Sequence, residues 1–425
     1  MNNRTGARRL IDDCFLNDAE RMRHDDVVAL LRERLTPVTG EETVPLAAAH
    51  RRIAAVDIFA ARPVPLHCNA AVDGYAFSHA DYLARGGKLA LAGRLAAGSS
   101  GDLELAAGQC ARIFTGAAMP AGADTVAMQE DCVVDDSDVR IPEGLRAGAN
   151  RRDAGEDLAE GDAVITAGQS LRPQDIAALA SLGLGTVAVR KPLRVAIMST
   201  GDELVAPGGA IRHGQVFDSN CVMLKSLVEA AGGVVTELGI VRDCADRIRD
   251  VLSHSAADHD LVLTSGGASR GEEDHMLDVL DVLGTRHLWQ IAVKPGRPMM
   301  FGQIADCVVI GLPGNPVAAF VCFLLYVRSA MRLLGGAVHL EPVRYPVRAG
   351  FAIANKKPDR REFLRGRLDV SDGGALTAMK YPRDGSGLIS GLRAADGLIE
   401  IGEDVAAVRE GDTVVFIPFN QFWDF

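Results

Sequence analysis

The 425-residue sequence predicts a multidomain α/β protein. A central α/β domain with a parallel sheet is accompanied by a β-rich lobe, a helical and extended linker domain and a small C-terminal β-barrel. Apolar runs and amphipathic segments alternate over residues 193–334, as strands and helices do when a parallel sheet is covered on both faces. Over residues 56–141, and again after Glu341, short apolar runs alternate with Gly, Asp and Pro turns, which is typical of β structure.

The predicted boundaries follow these changes of pattern. They give an N-terminal extension at 1–22, a linker domain at 23–55 and 148–192, a β-rich lobe at 56–147, the α/β domain at 193–340 and the barrel domain at 341–425. Apolar periodicity and capping residues predict helices at 27–35, 46–54, 173–182, 219–231, 245–255, 272–283 and 316–334. Short apolar runs between turn residues predict strands at 186–189, 195–198, 234–241, 261–263, 289–293, 308–311, 343–347, 362–370, 375–379, 397–401 and 413–418.

The composition excludes several classes of protein. Hydrophobic residues make up 48% and charged residues 24% of the chain, as expected of a soluble globular protein. The net charge of −11 argues against a general nucleic-acid binder, which needs a basic face, although a few local cations can still bind an anionic small molecule. The longest apolar run, 317–327, is too short to span a bilayer, and the N-terminus lacks the apolar segment of a signal peptide.

The eight cysteines are scattered along the chain. They form no C-x-x-C pair and do not combine with histidines at a metal-binding spacing. We therefore expect reduced thiols in a cytoplasmic protein, most of them serving in packing.

One stretch organises the α/β domain, residues 260–274 with the sequence DLVLTSGGASRGEED. Its apolar run 261–263 is typical of a strand buried on both faces. Gly266 and Gly267 follow at once, and adjacent glycines let backbone N–H groups approach a ligand without interference from a Cβ atom. A helix is predicted to begin near Glu272, so the loop lies at the carboxyl edge of the sheet, where ligands bind in open α/β folds. A tight turn between strand and helix is the ordinary alternative.

Four segments of this domain each follow a predicted strand, namely 199–204, 264–274, 294–298 and 312–316, and Asp243 follows a further one. Because the carboxyl ends of parallel strands meet at one edge, we expect a single cleft that contains glycine backbones, two cations and three acids. The charged residues are Lys294, Arg297, Glu203, Asp243 and Asp274. Backbone N–H groups and cations bind phosphate and carboxylates bind Mg²⁺, so the combination predicts a site for a phosphate ester with a divalent cation. Taken singly, each residue has a structural alternative, such as a helix cap or a solvated loop.

Several segments together resemble a known family. They are TGDEL, TSGGAS-x-G-x-x-D, KPGRP and GLPGNP in the α/β domain, preceded by N-x-A-x-DGYA and RIFTGA. In this order and combination they resemble the molybdopterin molybdenumtransferases, the family of MoeA and the gephyrin E domain. The resemblance extends from about residue 25 to the C-terminus. The α/β module alone also resembles related molybdopterin-binding and CinA-type proteins.

The resemblance implies an L-shaped homodimer of four-domain subunits and a cytoplasmic enzyme of molybdenum cofactor biosynthesis. The implied reaction inserts molybdate into adenylylated molybdopterin, hydrolyses the adenylate, releases AMP and depends on Mg²⁺. The implied protein partners are a molybdopterin adenylyltransferase and apo-molybdoenzymes, and we expect no nucleic-acid or membrane partner.

The implied site residues come from the matching motifs and the loops that carry them. The catalytic residues are Asp73, Glu203, Asp243, Asp274 and Lys294, of which Glu203, Asp243 and Asp274 are also the metal ligands. The ligand-binding residues are Thr115, Thr200, Gly201, Ser265, Gly266, Gly267, Ser269, Arg297, Pro313, Gly314, Asn315, Pro316 and Arg365. Asp73-Gly74 is by itself a signal for a hairpin turn. Only the resemblance assigns Asp73 to a site, in a lobe that reaches toward the cleft of the other subunit.

The sequence departs from the family pattern at a few positions. Ala70 and Val72 stand where Ser and Met are usual before DGYA, and Ala268 stands for Val in the common GGVS. Gln290 stands where the family has Lys or Arg, which removes an expected cation from the anion site. As a hypothesis, Arg270 replaces that charge. Arg270→Ala is then expected to weaken ligand binding, and unchanged affinity in a binding titration would contradict the hypothesis.

Two other functions are alternatives. A carrier or scaffold protein would bind molybdopterin without transferring metal, and Gln290 slightly favours this function. The four acids Asp73, Glu203, Asp243 and Asp274 favour the enzyme. A nucleotide-processing hydrolase on the same α/β module would need neither the lobe nor the barrel.

Overall fold

A computed structural model of the chain describes residues 21–99, 102–267, 275–338, 341–370 and 374–423. The contacts divide the chain into two compact units. The first comprises Met1–Val56, Ala167–Pro173 and Val187–Phe425, and the second comprises Asp57–Thr166 and Gln174–Thr186. The finer division into five segments stays a prediction.

Helices and strands are numbered in chain order. The helices are α1 (His24–Arg34), α2 (His79–Ala84), α3 (Pro173–Ser181), α4 (Ser219–Ala230), α5 (Ala245–Asp258), α6 (Met276–Leu283), α7 (Pro316–Cys322), α8 (Arg328–Leu334) and α9 (Ile389–Arg393). The strands are β1 (Glu41–Pro45), β2 (Ile58–Phe59), β3 (Asn69–Ala70), β4 (Gly74–Phe77), β5 (Lys88–Leu95), β6 (Gln109–Ile113), β7 (Thr125–Met128), β8 (Val133–Asp135), β9 (Asp138–Arg140), β10 (Arg151–Arg152), β11 (Ala163–Ile165), β12 (Thr186–Arg190), β13 (Arg194–Thr200), β14 (Leu204–Val205), β15 (Val216–Phe217), β16 (Val234–Val241), β17 (Leu261–Ser265), β18 (Thr285–Trp289), β19 (Val293–Lys294), β20 (Met300–Ile304), β21 (Cys307–Leu312), β22 (Tyr345–Ala349), β23 (Arg361–Val370), β24 (Leu376–Lys380), β25 (Gly397–Ile401) and β26 (Thr413–Pro418).

The predicted α/β sheet is confirmed, with the strand order β16-β13-β17-β21-β20-β18. The first four strands run parallel, β20 runs antiparallel to β21, and β18 runs antiparallel to β20. Successive side chains of a strand point to opposite faces. Leu261 and Leu263 therefore pack into the core formed with α4, α7 and α8, while Val262 packs into the core formed with α5 and α6. Both faces of the sheet are covered, as the continuous apolar runs predicted.

The strand predicted at 289–293 is wrong. The chain forms β18, which ends at Trp289, and then turns at Gln290, whose φ of 71° lies in the left-handed region. The Gln290 N–H donates to the carbonyl of Met299, which closes the connection to β20, a strand that the sequence did not predict. Val293 and Lys294 leave this sheet and pair with β23 of the C-terminal sheet.

The apolar helix predicted at 316–334 is confirmed as α7, one π-helical turn at Phe323–Val327, and α8. By length and composition alone Pro316–Leu334 could cross a membrane. Because 89% of the apolar 18-residue stretch within it is buried inside the protein, we assign it as a core helix.

The C-terminal β-barrel is confirmed. Strands β23, β24, β22, β26 and β25 are hydrogen-bonded in that order, and β25 pairs back with β23, which closes five strands into a barrel. Its interior contains buried side chains from facing strands, including Leu364, Ile399 and Phe416. Closure pairs the end strands β23 and β25 with each other, and β19 adds to the start of β23. The short helix α9 was not predicted.

The second unit contains the predicted β-rich lobe, a sheet in the order β7-β4-β6-β5-β9-β8. The hairpin expected at Asp73-Gly74 is wrong, because β4 pairs with β6 and β7, while the preceding β3 pairs with β10. Gly74 is required by close packing instead: a Cβ atom there would lie 1.9 Å from the carbonyl oxygen of Ala127.

Two predictions for the N-terminal helices also need correction. The helix expected at 46–54 is only a 3₁₀ turn, Leu46–Ala48, and the chain then reverses through Arg51, which has a φ of 65°. The helix at 27–35 is confirmed as α1, but neither Asp25 nor Asp26 caps it, since the N-cap is Arg23.

Asp25 instead pairs with Arg361 of the barrel at 2.7 Å. The same guanidinium lies 3.0 Å from Glu400 and 3.1 Å from Glu403. The Glu400 and Glu403 side chains are each only 9% exposed, whereas that of Asp25 is 73% exposed. Arg361 therefore compensates two buried carboxylates and also connects α1 to the barrel.

Replacing this guanidinium is expected to be costly. Arg361→Ala leaves Glu403 without its guanidinium partner, whereas Glu400 keeps Arg344 at 2.9 Å, and we expect an unfolding free energy lower by about 3 kcal/mol. Asp25→Ala removes only an exposed partner, so its effect should stay below about 1 kcal/mol. Urea unfolding of both variants measures the difference, and equal losses would show that Arg361 has no special role.

Candidate functional site

The candidate site begins at the carboxyl edge of the α/β sheet. Residues 201–203 follow β13, Asp243 follows β16, Gly266 follows β17 and Pro313 follows β21. These four strands are neighbours in the sheet, so the segments after them lie side by side.

Gly266 connects two of these segments. Its N–H donates to the carbonyl of Leu312 at 3.1 Å. Its φ is +87°, and a Cβ atom there would lie 2.7 Å from the carbonyl oxygen of Thr200. Only glycine fits this position, because the backbones of three adjacent strand ends approach each other there. Gly267 also has a positive φ, 74°.

The amide of Asn220 holds the same segments together. Its Nδ2 donates to the Ser265 hydroxyl at 2.8 Å and to the Gly314 carbonyl at 2.7 Å. A carbonyl can only accept, so the amide orientation is fixed and Oδ1 remains an acceptor. Oδ1 is buried without a hydrogen-bond partner among the described residues. No sequence signal distinguishes Asn220, which occupies the first turn of α4 just after its N-cap, Asp218.

The acidic group of Asp202, Glu203 and Asp243 lies on the β16 and β13 side of this edge. Burial raises the pKa of the half-buried Asp243, the charges of Asp202 and Glu203 add to this effect, and His275 opposes it. The Glu203 carboxylate folds back over Gly201, where a Cβ atom would lie 2.5 Å from Oε2. Asp243 and Glu203 are therefore close enough to influence each other.

The chemistry of these oxygens fits a divalent cation. Oδ1 of Asp243 and Oγ1 of Thr200 are buried and have no hydrogen-bond partner within the described ranges. Hard cations such as Mg²⁺ prefer oxygen ligands and are commonly held by one or two carboxylates together with substrate phosphates. In the part of the chain that the structure describes, no three His, Cys, Asp or Glu side chains form a ready-made metal cluster.

A cavity of about 500 Å³ lies between the β21 side of the sheet edge and the barrel, within the first unit. Its charged and polar lining residues are Arg21, Lys294, Arg297, Asn315, Arg360, Arg365, Lys380, Tyr381, Asp384 and Ser386. Pro313 also lines it, and neither Glu203 nor Asp243 does. A cavity of this size can hold a small organic ligand.

The sequence predicted a single cleft, but the structure has two adjacent parts, the acidic group and the cavity. Lys294 follows the far-edge strand β18 and then joins the barrel sheet, where its Nζ lies 3.5 Å from Glu362. Asp243, by contrast, follows the opposite edge strand, β16. From β16 to β21 there are three strand spacings of about 4.8 Å, so the acidic group and the start of the cavity are roughly 14 Å apart.

Arg365 projects into the cavity from β23. Its guanidinium donates to the carbonyls of Leu388 and Arg383, at 3.0 and 2.9 Å, and lies 5.2 Å from the ring centre of Tyr381. Burial lowers its pKa. The barrel residues Tyr381, Asp384 and Ser386 were not predicted as site residues, because they belong to a turn with no recognisable motif.

Asp73 and Thr115 meet in the second unit. One carboxylate oxygen of Asp73 accepts from both the N–H and the hydroxyl of Thr115, each at 2.8 Å. These bonds, the backbone one first, lower the pKa of Asp73. The two residues that the resemblance selected from separate motifs are therefore direct neighbours.

Three residues from the sequence analysis, Ser269, Arg270 and Asp274, lie outside the described residues. Gln290, where a cation was expected, does not line the cavity.

Because burial raises the pKa of Asp243 in the folded protein, its neutral form is favoured by folding. That contribution is complete at pH values below about 4 and is lost as the pH rises through the folded-state pKa. Asp243→Asn stays neutral, so we expect a higher unfolding temperature than for the unmodified protein at pH 7, and a smaller difference as the pH falls toward 4. Calorimetry across this range is the measurement, with Asp250→Asn, an exposed change on α5, as the control. A lower unfolding temperature at pH 7 would contradict the burial argument.

Comparison with known proteins agrees with this architecture along nearly the whole chain. Residues 22–183 match the MoeA N-terminal region (domains I and II), 196–333 match a probable molybdopterin-binding domain, and 347–419 match the MoeA C-terminal region (domain IV). The molybdopterin molybdenumtransferase of Haemophilus influenzae is 34% identical over 400 residues, which cover 93% of this chain and 98% of that protein. Molybdopterin molybdenumtransferase 2 of Mycobacterium tuberculosis is 32% identical over 413 residues, 94% of this chain and 98% of that one.

A solved molybdopterin biosynthesis MoeA protein from Pyrococcus horikoshii superimposes with a TM-score of 0.81 at 27% identity, covering 94% of this chain and all of that structure. The chain belongs to the molybdopterin molybdenumtransferase family.

Proposed function

We propose that this protein is a transferase of molybdenum cofactor biosynthesis, which inserts molybdate into adenylylated molybdopterin with hydrolysis of the adenylate and release of AMP. The observation that carries the proposal is the cationic cavity next to the sheet edge. Six of its lining residues are Lys or Arg, and Asp384 is the acid among them. Such a lining suits a tetrahedral oxyanion and the phosphate of a pterin ligand.

The separation of the two parts supports an extended substrate. The acidic group and the cavity are roughly 14 Å apart along the strand ends, and Gly266 and Gly267, which follow β17, lie between them. A nucleotide joined to a pterin through a phosphoanhydride can span this length. The molybdate end would lie among Lys294, Arg297 and Arg365, and the adenylate end near Asp243 and Glu203.

Each part has a separate task in this reaction. Lys294, Arg297 and Arg365 neutralise and orient the incoming oxyanion, which the phosphate of the ligand would otherwise repel. The N–H of Gly267 would bind a phosphate oxygen, since that of Gly266 donates to the Leu312 carbonyl. Asp243 and Glu203, with Asp274, would hold Mg²⁺, which when bound neutralises charge on the phosphoanhydride.

The remaining features are part of the same proposal. We infer a cytoplasmic homodimer in which Asp73 and Thr115 act on the ligand of the partner subunit. A molybdopterin adenylyltransferase would supply the substrate, and apo-molybdoenzymes would accept the product.

The carrier function receives less support than the enzyme. It was favoured by Gln290 as a missing cation, but Gln290 occupies a left-handed turn and does not line the cavity. The hydrolase alternative would leave the barrel side of the cavity, Arg365 included, without a role.

The first test is AMP release from adenylylated molybdopterin, measured with and without molybdate and Mg²⁺. We expect release that depends on both ions. Lys294→Ala should raise the Kd of the ligand at least about tenfold, or about 1.4 kcal/mol, because it removes a cation from the cavity. Lys225→Ala, an exposed lysine on α4 paired with Glu237, is the matched control and should bind as the unmodified protein does.

Tight binding without AMP release under any condition would instead establish the carrier function. Unaltered affinity of Lys294→Ala would remove Lys294 from the site.

A further inference from the structure

The residues just before α1 lie against the wall of the cavity. The carbonyl of Met22 accepts from the N–H of Ala292 at 2.8 Å, and Met22 forms a parallel bridge with Ile291. The N–H of Ile291 in turn donates to the carbonyl of Arg297 at 2.9 Å. Ile291 therefore connects the backbone of the N-terminal segment, residues 21–23, to that of Arg297, a predicted anion-binding residue.

Three further contacts fix where this segment lies. The carbonyl of Ala292 accepts from the N–H of Arg361 at 2.9 Å, so the same short stretch also binds the first residue of β23. The buried His24 ring bonds through Nδ1 to the hydroxyl of Tyr326 at 2.9 Å and packs edge-on against Phe363. With the ion pair between Asp25 and Arg361, these contacts hold the start of α1 on both the core helix and the barrel.

This placement brings Arg21 to the cavity, where it is one of the lining residues. Of the six cations there, Lys294 and Arg360 are paired with Glu362, at 3.5 and 2.7 Å, and Lys380 with Asp384 at 2.8 Å. Among the described residues, no carboxylate lies within 4.0 Å of the other three, Arg21, Arg297 and Arg365. Arg21 thus supplies one of three positive charges that no carboxylate in the described chain pairs with.

We propose that Arg21 is an anion-binding residue of this cavity and that its charge favours a divalent tetrahedral oxyanion over a monovalent one. The inference rests on the proposed function, because it assigns an oxyanion to the cavity. Coulomb energy is proportional to the charge of the ligand, so one guanidinium stabilises a dianion twice as strongly as a monoanion in the same position. Arg21, which lies just before the region that matches the family, then contributes to the charge preference of the site.

The test compares two tetrahedral anions of similar size, tungstate as the dianion and perrhenate as the monoanion. Isothermal titration calorimetry gives Kd values for the full-length protein and for Arg21→Ala. We expect a loss of about tenfold for tungstate and about threefold for perrhenate, since halving the Coulomb energy takes the square root of the factor. Arg21→Lys should recover most of the tungstate affinity, because it keeps the charge.

Arg23→Ala is the matched control. Arg23 is exposed, lies two residues from Arg21, makes no side-chain cap and does not line the cavity, so its loss should change neither Kd. Higher ionic strength should reduce the difference between Arg21→Ala and the unmodified protein, as it does for any partly exposed charge.

Unchanged tungstate affinity in Arg21→Ala, with weakened binding in Lys294→Ala and Arg297→Ala, would overturn the role of Arg21 and leave the proposed function intact. Equal losses for tungstate and perrhenate would overturn the charge preference. If neither anion binds the unmodified protein, both the inference and the oxyanion assignment of the cavity are wrong.

Discussion

The cavity depends on a backbone pairing of two residues. Val293 and Lys294 leave the α/β sheet and hydrogen-bond to the first residues of β23, so that the strand ends of one domain and the wall of the barrel share a ladder. Lys294 is held by this ladder, Arg297 follows three residues later, and Arg365 belongs to β23 itself. Without this pairing the two sets of cations would belong to separate surfaces.

Much of the fold could be predicted from the sequence, because its central strands are buried on both faces. The run at 261–263 has apolar side chains in succession, and each face of β17 packs into its own core. The prediction failed at Gln290, where a non-glycine residue takes a left-handed conformation that local patterns rarely indicate. It also failed at Asp73-Gly74, where strand packing rather than a turn requires the glycine.

The candidate site was predictable to the extent that its residues follow strands. The glycine loop, Asp243 and the GLPGNP segment all follow from the rule that ligands bind at carboxyl strand ends. Asn220 and the turn with Tyr381, Asp384 and Ser386 do not, since they reach the site through tertiary packing between segments far apart in the chain. Arg21 lies in a segment whose position is set by the hydrogen bond from the Ala292 N–H to the Met22 carbonyl, which no sequence pattern expresses.

The alternation of side chains along β23 has a consequence for how this chain can vary. Arg361, Phe363 and Arg365 share one face of the strand, and Leu364 points into the barrel core between them. A surface loop tolerates the insertion or deletion of one residue. In β23 the same change would move every side chain beyond it to the opposite face of the strand. Phe363 and Arg365 would turn into the barrel, and Leu364 would leave its core. Divergence within β23 is therefore confined to substitution at constant length, whereas changes in length can accumulate only in the turns that flank it.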